Sequence, residues 1–146
     1  MDEETALVEE LRERLRSTEF YRWSGIELVD ARPGHADVAF EAGPQHVNLQ
    51  GLVHGGVLAT LADTAMGLAV RTVLEPDRRH VTVQLGIEFL SPGRLGRIVA
   101  HGRTVKIGRQ LCFAEAEVAD ARGRVLARAR ATLSVTTERD PSETES

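Results

Sequence analysis

The sequence predicts an α+β fold in which one antiparallel sheet wraps around a single long helix. Residues from about Val53 to Leu74 form a helix-like segment that is apolar on nearly every side. Short strand-like segments precede it, and longer ones follow it. A helix that is apolar all round must be covered all round, and one sheet that curves about it does so economically. Such a sheet leaves open edges, and pairing two edges would form a dimer.

The residues before the long helix indicate one helix and two strands. Between Glu3 and Ser17, apolar side chains recur at helical spacing with charged residues between them, which predicts a surface helix. On either side of Pro33-Gly34 the sequence is typical of strands, and Val38 and Phe40 alternate as in a half-buried strand. Residues 44–51 are then expected to form a loop.

The residues after the long helix indicate four strands. In the first, alternate residues from Val81 to Phe89 are apolar and are expected on one face of the sheet. A second strand covers Gly96 to Ile107, and two further alternating segments flank a hairpin turn at Asp120–Gly123. These elements divide the chain into an N-terminal helical extension (1–22), one domain (23–136) and a polar tail (137–146), which is expected to be disordered.

The composition is that of a soluble globular protein of one domain, with 146 residues, 42% of them hydrophobic and 27% charged. A net charge of −4 argues against general nucleic-acid binding. The N-terminus lacks a signal-peptide pattern, and the run from Gly55 to Val70 is short for a membrane span and contains Asp63. Cys112 is the only cysteine, which suits a reducing compartment. We therefore expect a cytoplasmic protein with no membrane and no nucleic-acid partner.

Two adjacent glycines, Gly55 and Gly56, stand at the head of the long helix. The first backbone N–H groups of a helix have no internal partners, and the helix dipole makes that end positive. Because glycine leaves these groups uncovered, a ligand oxygen can approach them closely, as in an oxyanion site for a polarised carbonyl. The alternative interpretation is that the glycines merely loosen the junction between loop and helix.

One carboxylate, Asp63, interrupts the apolar segment. A carboxylate in such surroundings is costly unless it is paired, hydrogen-bonded or open to a cleft, and a cleft carboxylate is a candidate general base or nucleophile. The alternative is an aspartate that bonds backbone or threonine hydroxyls, or that faces solvent. Gly55 and Asp63 are separated by about 12 Å along a helix. If both are catalytic, we expect each site to combine Gly55 of one subunit with Asp63 of its partner.

The pattern of these residues resembles a known family signature. Asn48, Gly51 and His54-Gly55-Gly56, followed by Leu61-Ala62-Asp63-Thr64-Ala65, are similar to the motif of hotdog-fold acyl-CoA thioesterases of the PaaI-like (phenylacetate-pathway) type. The similarity extends from about Trp23 to Val135 and includes Phe89–Gly96 and Val105–Gln110. The resemblance implies a sheet around a central helix, hydrolysis of an acyl-CoA to a carboxylate and free CoA, and dimers that pair into homotetramers. No cofactor or metal is implied.

The resemblance also implies roles for individual residues. Gly55 would donate its backbone N–H to the thioester oxygen, and Asp63 of the partner subunit would activate water or attack directly. Asn48 and His54 would help to fix the thioester and the helix head, and Thr82 would position the water. Asp63 together with Asn48 is typical of the PaaI-like branch rather than of the aryl-CoA branch with Gln and Glu.

Further residues match the segments that contact CoA in the family. They are Val81, Thr82 and the turn from Lys106 to Leu111, which includes Gly108 and Arg109. CoA is a polyanion, and five cationic side chains lie along the strands that would flank it: Arg94, Arg97, Arg103, Lys106 and Arg109. Most of these are expected to form a solvated strand face. Lys106 and Arg109 are favoured as CoA ligands because they flank Gly108 in a turn.

Other kinds of site find less support in the sequence. His35, His46, His80 and His101 lack the spacing of a metal site. His46 is expected on a surface loop, with a place in the pocket wall near Asn48 as the alternative. Cys112 lies in an alternating apolar strand and is expected to be an inert core thiol. Leu58, Met66 and Phe89 are expected to line an acyl pocket, whose preference between aromatic and medium-chain groups stays open.

Two other functions remain as alternatives on the same fold. The first is a non-catalytic protein that binds or senses acyl-CoA, against which the presence of Asp63 argues. The second is a hotdog hydratase or dehydratase, which would need an acidic residue and a histidine at a spacing that this sequence lacks.

Overall fold

Four helical segments and six strands make up the computed structural model, which describes residues 1–137. The helices are α1 (Glu3–Ser17), α2 (Glu19–Ser24), a short 3-10 turn (Pro44–His46) and α3 (Gly55–Arg71). The strands are β1 (Glu27–Arg32), β2 (His35–Ala42), β3 (Arg78–Phe89), β4 (Gly96–Ile107), β5 (Leu111–Asp120) and β6 (Val125–Thr137). Thr137, placed by prediction in the tail, ends β6, and the rest of that tail lies outside the described residues. Within residues 1–137, no helix is long and apolar enough to cross a membrane.

The six strands form one antiparallel sheet in the order β1-β2-β4-β5-β6-β3. Helix α3 packs against every one of them, so the sheet curves around the helix as predicted. β1 and β3 are the two edge strands. Helix α1 packs against β1, where Leu11 and Leu15 are buried. The predicted α+β hotdog arrangement with an extra N-terminal helix is therefore confirmed, while the short helix α2 was missed.

Helix α3 forms the centre of the core. Seven of its residues are buried: Leu58, Leu61, Ala62, Ala65, Met66, Ala69 and Val70. Opposite it, β4 carries Gly102, where a Cβ would lie 2.5 Å from both the carbonyl carbon and the carbonyl oxygen of Ala65. Glycine at this position therefore lets the sheet approach the helix backbone closely.

Local hydrogen bonds make α3 shorter at both ends than the predicted range. The Val53 N–H donates to the Gly93 carbonyl (2.9 Å), and His54 caps the helix instead of continuing it. At the other end, the Arg71 guanidinium donates to the Leu74 carbonyl (3.1 Å) and to the carbonyls of the turn that leads into β3. The turn is thus tied back to the helix that precedes it.

Strand β3 differs from the prediction at its centre. Its register against β6 shifts between Thr82 and Gln84, so Val83 is an extra residue in a β-bulge. Val81 and Val83 are consequently 64% and 58% exposed, whereas Leu85 and Ile87 beyond the bulge are half-buried. The prediction that alternate residues from Val81 to Phe89 share one face was wrong because the bulge exchanges the two faces. In the first half of β3, Thr82 faces α3 instead.

Candidate active site

The side chains of Asp63 and Thr82 meet between α3 and β3. The Thr82 hydroxyl donates to Asp63 Oδ1 at 2.8 Å, and both side chains are half-buried. No other described residue donates to the Asp63 carboxylate, which leaves Oδ2 open. Thr82 therefore faces this carboxylate, and its role in positioning water stays a prediction. The carboxylate is thus held at one oxygen and available at the other.

The head of α3 presents one backbone donor without a protein partner. His54 Nδ1 accepts the Gly56 N–H at 2.8 Å, and the His54 carbonyl accepts the N–H groups of Val57 (2.9 Å) and Leu58 (3.3 Å). The Gly55 N–H donates to no acceptor within residues 1–137. His54 therefore holds the helix head, and within residues 1–137 Gly55 alone in this turn keeps an N–H without a protein partner.

A groove of about 300 Å³ opens beside Gly55. Its walls include Asn48, Leu58 and Phe89, together with residues 90–93. Asn48 Oδ1 accepts the N–H groups of Gln50 (2.9 Å) and Leu52 (3.2 Å), so it shapes the loop that leads to the helix. Leu58 and Phe89 thus line this groove, and its use as an acyl pocket stays a prediction. Met66, predicted beside them, is instead fully buried in the core and does not line the groove.

Asp63 does not line the groove beside Gly55. The two residues lie eight positions apart on one regular helix, which corresponds to about 12 Å along its axis. Within one chain, the backbone donor of Gly55 and the carboxylate of Asp63 therefore stand at separate positions along α3. A site shared between two subunits remains a prediction of this geometry.

The residues expected to contact CoA lie together at one end of the sheet. Leu111, which ends the turn after Lys106, pairs with Ser134, and Ser134 pairs with Val81. The Gly108 N–H donates to the Leu111 carbonyl at 2.9 Å, and a Cβ on Gly108 would lie 2.6 Å from that oxygen. The close turn therefore requires a residue without a side chain at this position.

Two cationic side chains at this end of the sheet have no acidic partner within residues 1–137. They are Lys106 and Arg109, both exposed, and the Arg109 carbonyl accepts a hydrogen bond from the Arg78 guanidinium. Two other candidates are paired elsewhere, Arg97 with Glu41 (3.8 Å) and Arg103 with Glu115. These pairs agree with the expectation that most of the arginines belong to a solvated strand face. Arg94 is exposed.

His46 is a core residue rather than a residue of the loop surface. It is 2% exposed, its Nε2 lies 2.8 Å from the Ser24 carbonyl oxygen, and its Nδ1 accepts the Gly43 N–H at 2.9 Å. The Phe40 ring packs edge-on against it. The prediction of a surface position was wrong because the partner at Ser24 is distant in sequence and only the fold brings it near.

His80 is the residue near Asp63 that sequence reasoning missed. It is half-buried on β3, two residues before Thr82, and its Cε1 would lie 3.4 Å from a Cβ on Gly67 of α3. Burial lowers the pKa of His80, Arg71 lowers it further, and Asp63 opposes the shift. The period of two in a strand places His80 on the same face as Thr82, whereas metal-ligand spacing gives no signal for this histidine.

Cys112 is fully buried on β5, as expected for a core thiol. Burial raises the pKa of the Cys112 thiol, which keeps it protonated and unreactive. Among residues 1–137, no group of three or more metal-ligating side chains is arranged to hold a metal ion.

Comparison with known proteins gives the following relatives. A family model described as thioesterase superfamily matches residues 50–127. Human acyl-coenzyme A thioesterase 13 is 32% identical over 135 residues, which cover 88% of this chain and 96% of the human protein. The 1,4-dihydroxy-2-naphthoyl-CoA hydrolase of Listeria monocytogenes is 27% identical over 115 residues, which cover 79% of this chain and 94% of that protein.

Solved structures give the same fold. A thioesterase from Haemophilus influenzae superposes with a TM-score of 0.85 at 24% identity and covers 92% of this chain and 93% of its own. A thioesterase protein from Streptococcus pneumoniae, solved with coenzyme A, has a TM-score of 0.72 at 31% identity and covers 79% of this chain and 88% of its own.

Proposed function

Because the chain belongs to the thioesterase superfamily, we propose that it hydrolyses the thioester of an acyl-CoA to a free acid and CoA. The observation that carries this proposal is the arrangement along α3. A hydroxyl-anchored carboxylate at Asp63 and an unpartnered backbone donor at Gly55 are the two groups that thioester hydrolysis needs. The names of the human and Listeria relatives support a CoA ester as the substrate.

The Gly55 N–H polarises the thioester carbonyl. When a nucleophile attacks this carbon, negative charge develops on the oxygen, and a fixed N–H at a helix head stabilises it. The capped Gly56 N–H is already committed to His54, so it cannot serve the same purpose in this conformation. The acyl group then extends into the groove lined by Leu58 and Phe89.

Asp63 of the partner subunit supplies the second group in one of two ways. As a general base, its carboxylate takes a proton from water while the water oxygen bonds to the acyl carbon, and the CoA thiolate leaves. As a nucleophile, its oxygen bonds to the acyl carbon and expels the thiolate, and water then hydrolyses the mixed anhydride. In both routes the Thr82 hydroxyl holds Oδ1, which directs Oδ2 toward the reaction.

Shared sites make the dimer the functional unit, with two sites per dimer. Two antiparallel α3 helices across a two-fold axis would bring Gly55 of each chain to Asp63 of the other, since the offset along one helix is about 12 Å. We propose that such dimers pair into tetramers, as the family resemblance implies. CoA would lie at the sheet end that carries Val81, Thr82, Lys106, Gly108 and Arg109.

The proposal is tested by release of free thiol from a panel of aryl and medium-chain acyl-CoA esters. Asp63→Asn is expected to lower kcat by about a thousandfold or more, since it removes the base or nucleophile. Asp37→Asn is the matched control because Asp37 is also on a folded element but pairs with His101 on the outer sheet face. Unchanged turnover in Asp63→Asn would exclude the mechanism. Binding of every ester by the wild type without thiol release would favour an acyl-CoA sensor.

A further inference from the structure

His80 lies on β3 two residues before Thr82, beside the Asp63–Thr82 contact. In the first half of β3, His80 and Thr82 both face α3, and on α3 Gly67 follows Asp63 by four residues, one turn of the helix. Thr82 contacts Asp63, and the His80 ring packs at Gly67. The same strand and the same helix therefore make two successive contacts, one through a hydroxyl and one through an imidazole.

The charged groups that face His80 are Asp63 and Arg71, both on α3. Its partner on β6 is Val135, which is apolar and buried. Burial and the Arg71 charge both lower the pKa of His80 and outweigh the opposing effect of Asp63. The imidazole is therefore neutral near pH 7, although it lies close enough to the carboxylate to interact with it.

We propose that His80 is a positioning residue for Asp63, whose neutral ring holds β3 against α3 and whose protonation switches the site off. In the neutral state, the ring at Gly67 keeps Thr82 in register with the carboxylate. In acid, the imidazolium attracts the Asp63 carboxylate and stabilises its charge, which makes it a weaker base and a weaker nucleophile. This inference rests on the proposed function of Asp63.

The pH dependence of hydrolysis is the first test. For the wild type, kcat/KM is expected to fall as the pH falls through the pKa of His80, which lies below the usual value of about 6.5. His80→Asn keeps a polar side chain that does not titrate, so the part of the acid limb that belongs to His80 should disappear. At neutral pH it should lose less than about tenfold in kcat/KM.

His101→Asn is the matched control for that profile. His101 is a titratable histidine on the outer face, where it pairs with Asp37, and its replacement should leave the acid limb unchanged. A residue that only filled space would alter the rate at all pH values without moving the limb. An acid limb in His80→Asn identical to that of the wild type would overturn the proposal.

A titration without substrate separates this inference from the proposed function. The His80 Cε1–H resonance, followed by NMR against pH, should report a lower pKa in Asp63→Asn than in the wild type, because the carboxylate attraction is lost. An unchanged His80 pKa in Asp63→Asn would overturn the inference whether or not the protein is an enzyme. A shifted pKa in a protein that cleaves no thioester would leave the coupling intact and refute the proposed function instead.

Discussion

The ring of Phe89 lies directly against Gly55, the first residue of α3. A Cβ on Gly55 would be 3.1 Å from Phe89 Cζ and 3.3 Å from Cε1. Gly55 is not among the residues with positive φ, so close approach of the ring, and not backbone conformation, favours glycine there. The aromatic side chain thus covers one side of the residue whose N–H remains without a protein partner.

Removing the Gly55 N–H without disturbing the helix is possible through proline. Gly55 is the first helical residue, where proline is well tolerated, and His54 before it has φ −59 and ψ 133, which a following proline accepts. Gly55→Pro is expected to lower kcat by roughly 10²–10³-fold. Gly55→Ala is the matched control, since it brings a Cβ against Phe89 but keeps the N–H, and it should lose much less. Equal losses in the two variants would assign the effect to steric contact.

The Thr82 hydroxyl should contribute to catalysis through its bond to Asp63. Thr82→Val removes the donor at nearly constant volume, and we expect kcat to fall by about tenfold with a stability change near 1 kcal/mol. Thr82→Ser keeps the hydroxyl and should retain most of the activity. Steady-state kinetics and thermal unfolding of both variants check this. A valine variant as active as the serine variant would show that the contact is structural only.

The exposed cations Lys106, near the end of β4, and Arg109, just after it, should bind the nucleotide part of CoA. Replacing both Lys106 and Arg109 with alanine is expected to raise KM for an acyl-CoA several-fold with little change in kcat, because the contacts are distant from the thioester. The KM for the corresponding acyl-pantetheine, which lacks the nucleotide phosphates, should not change. Arg97→Ala, which removes a cation paired with Glu41, is the control. Equal effects on both substrates would contradict a nucleotide contact.

The lowered pKa of His80 predicts an acid-sensitive stability. The unfolded chain binds a proton on this histidine near its usual pKa of about 6.5, whereas the folded protein binds it only at lower pH. The contribution of neutral His80 to the free energy of unfolding is therefore complete above about pH 6.5. It is lost as the pH falls through the folded-state pKa of His80. Tm measured against pH should fall more steeply in acid for the wild type than for His80→Asn. Curves of Tm against pH that run parallel for the two proteins would contradict the lowered pKa of His80.

A substitution at Gly102 tests the close contact between β4 and α3. In Gly102→Ala the new Cβ would meet the Ala65 backbone at 2.5 Å, and because backbone cannot rotate away, we expect a loss of about 3 kcal/mol. Gly86→Ala is the control on another strand, where the nearest atom is a Gln84 side-chain nitrogen at 3.6 Å, and it should change stability by about 0.5 kcal/mol or less. Denaturant unfolding compares them. Equal stabilities would show that the sheet can move away from α3.

Hydrophobic periodicity was sufficient to predict most of the fold. Helix α1 and strand β4 have the predicted bounds, Glu3–Ser17 and Gly96–Ile107. The register shift between Thr104 and Lys106 within β4 was not indicated by the sequence. The bulge at Val83 could not be predicted in this way. Val81 and Val83 would fit the inner face by polarity, and only the contact of Thr82 with Asp63 across the sheet and helix reveals which face is inside.

The site could be predicted only in part, for a related reason. The motif identified Asn48, Gly55 and Asp63, but it did not indicate that His54 takes the Gly56 N–H and leaves that of Gly55. His46 and His80 depend on partners that the fold brings near from other elements, so neither was assigned its place. Long-range contacts of single polar side chains carry no periodic signal in the sequence.

Complementation between two inactive variants tests the central claim, that each site combines Gly55 of one chain with Asp63 of the other. Gly55→Pro and Asp63→Asn chains with different affinity tags are co-expressed, and heterodimers are isolated through both tags. If the sites are shared, one of the two sites in each heterodimer is intact, and kcat per dimer should be about half that of the wild type. Each homodimer alone should remain near background. Heterodimers that also remain near background would contradict the shared site and place both groups in one chain.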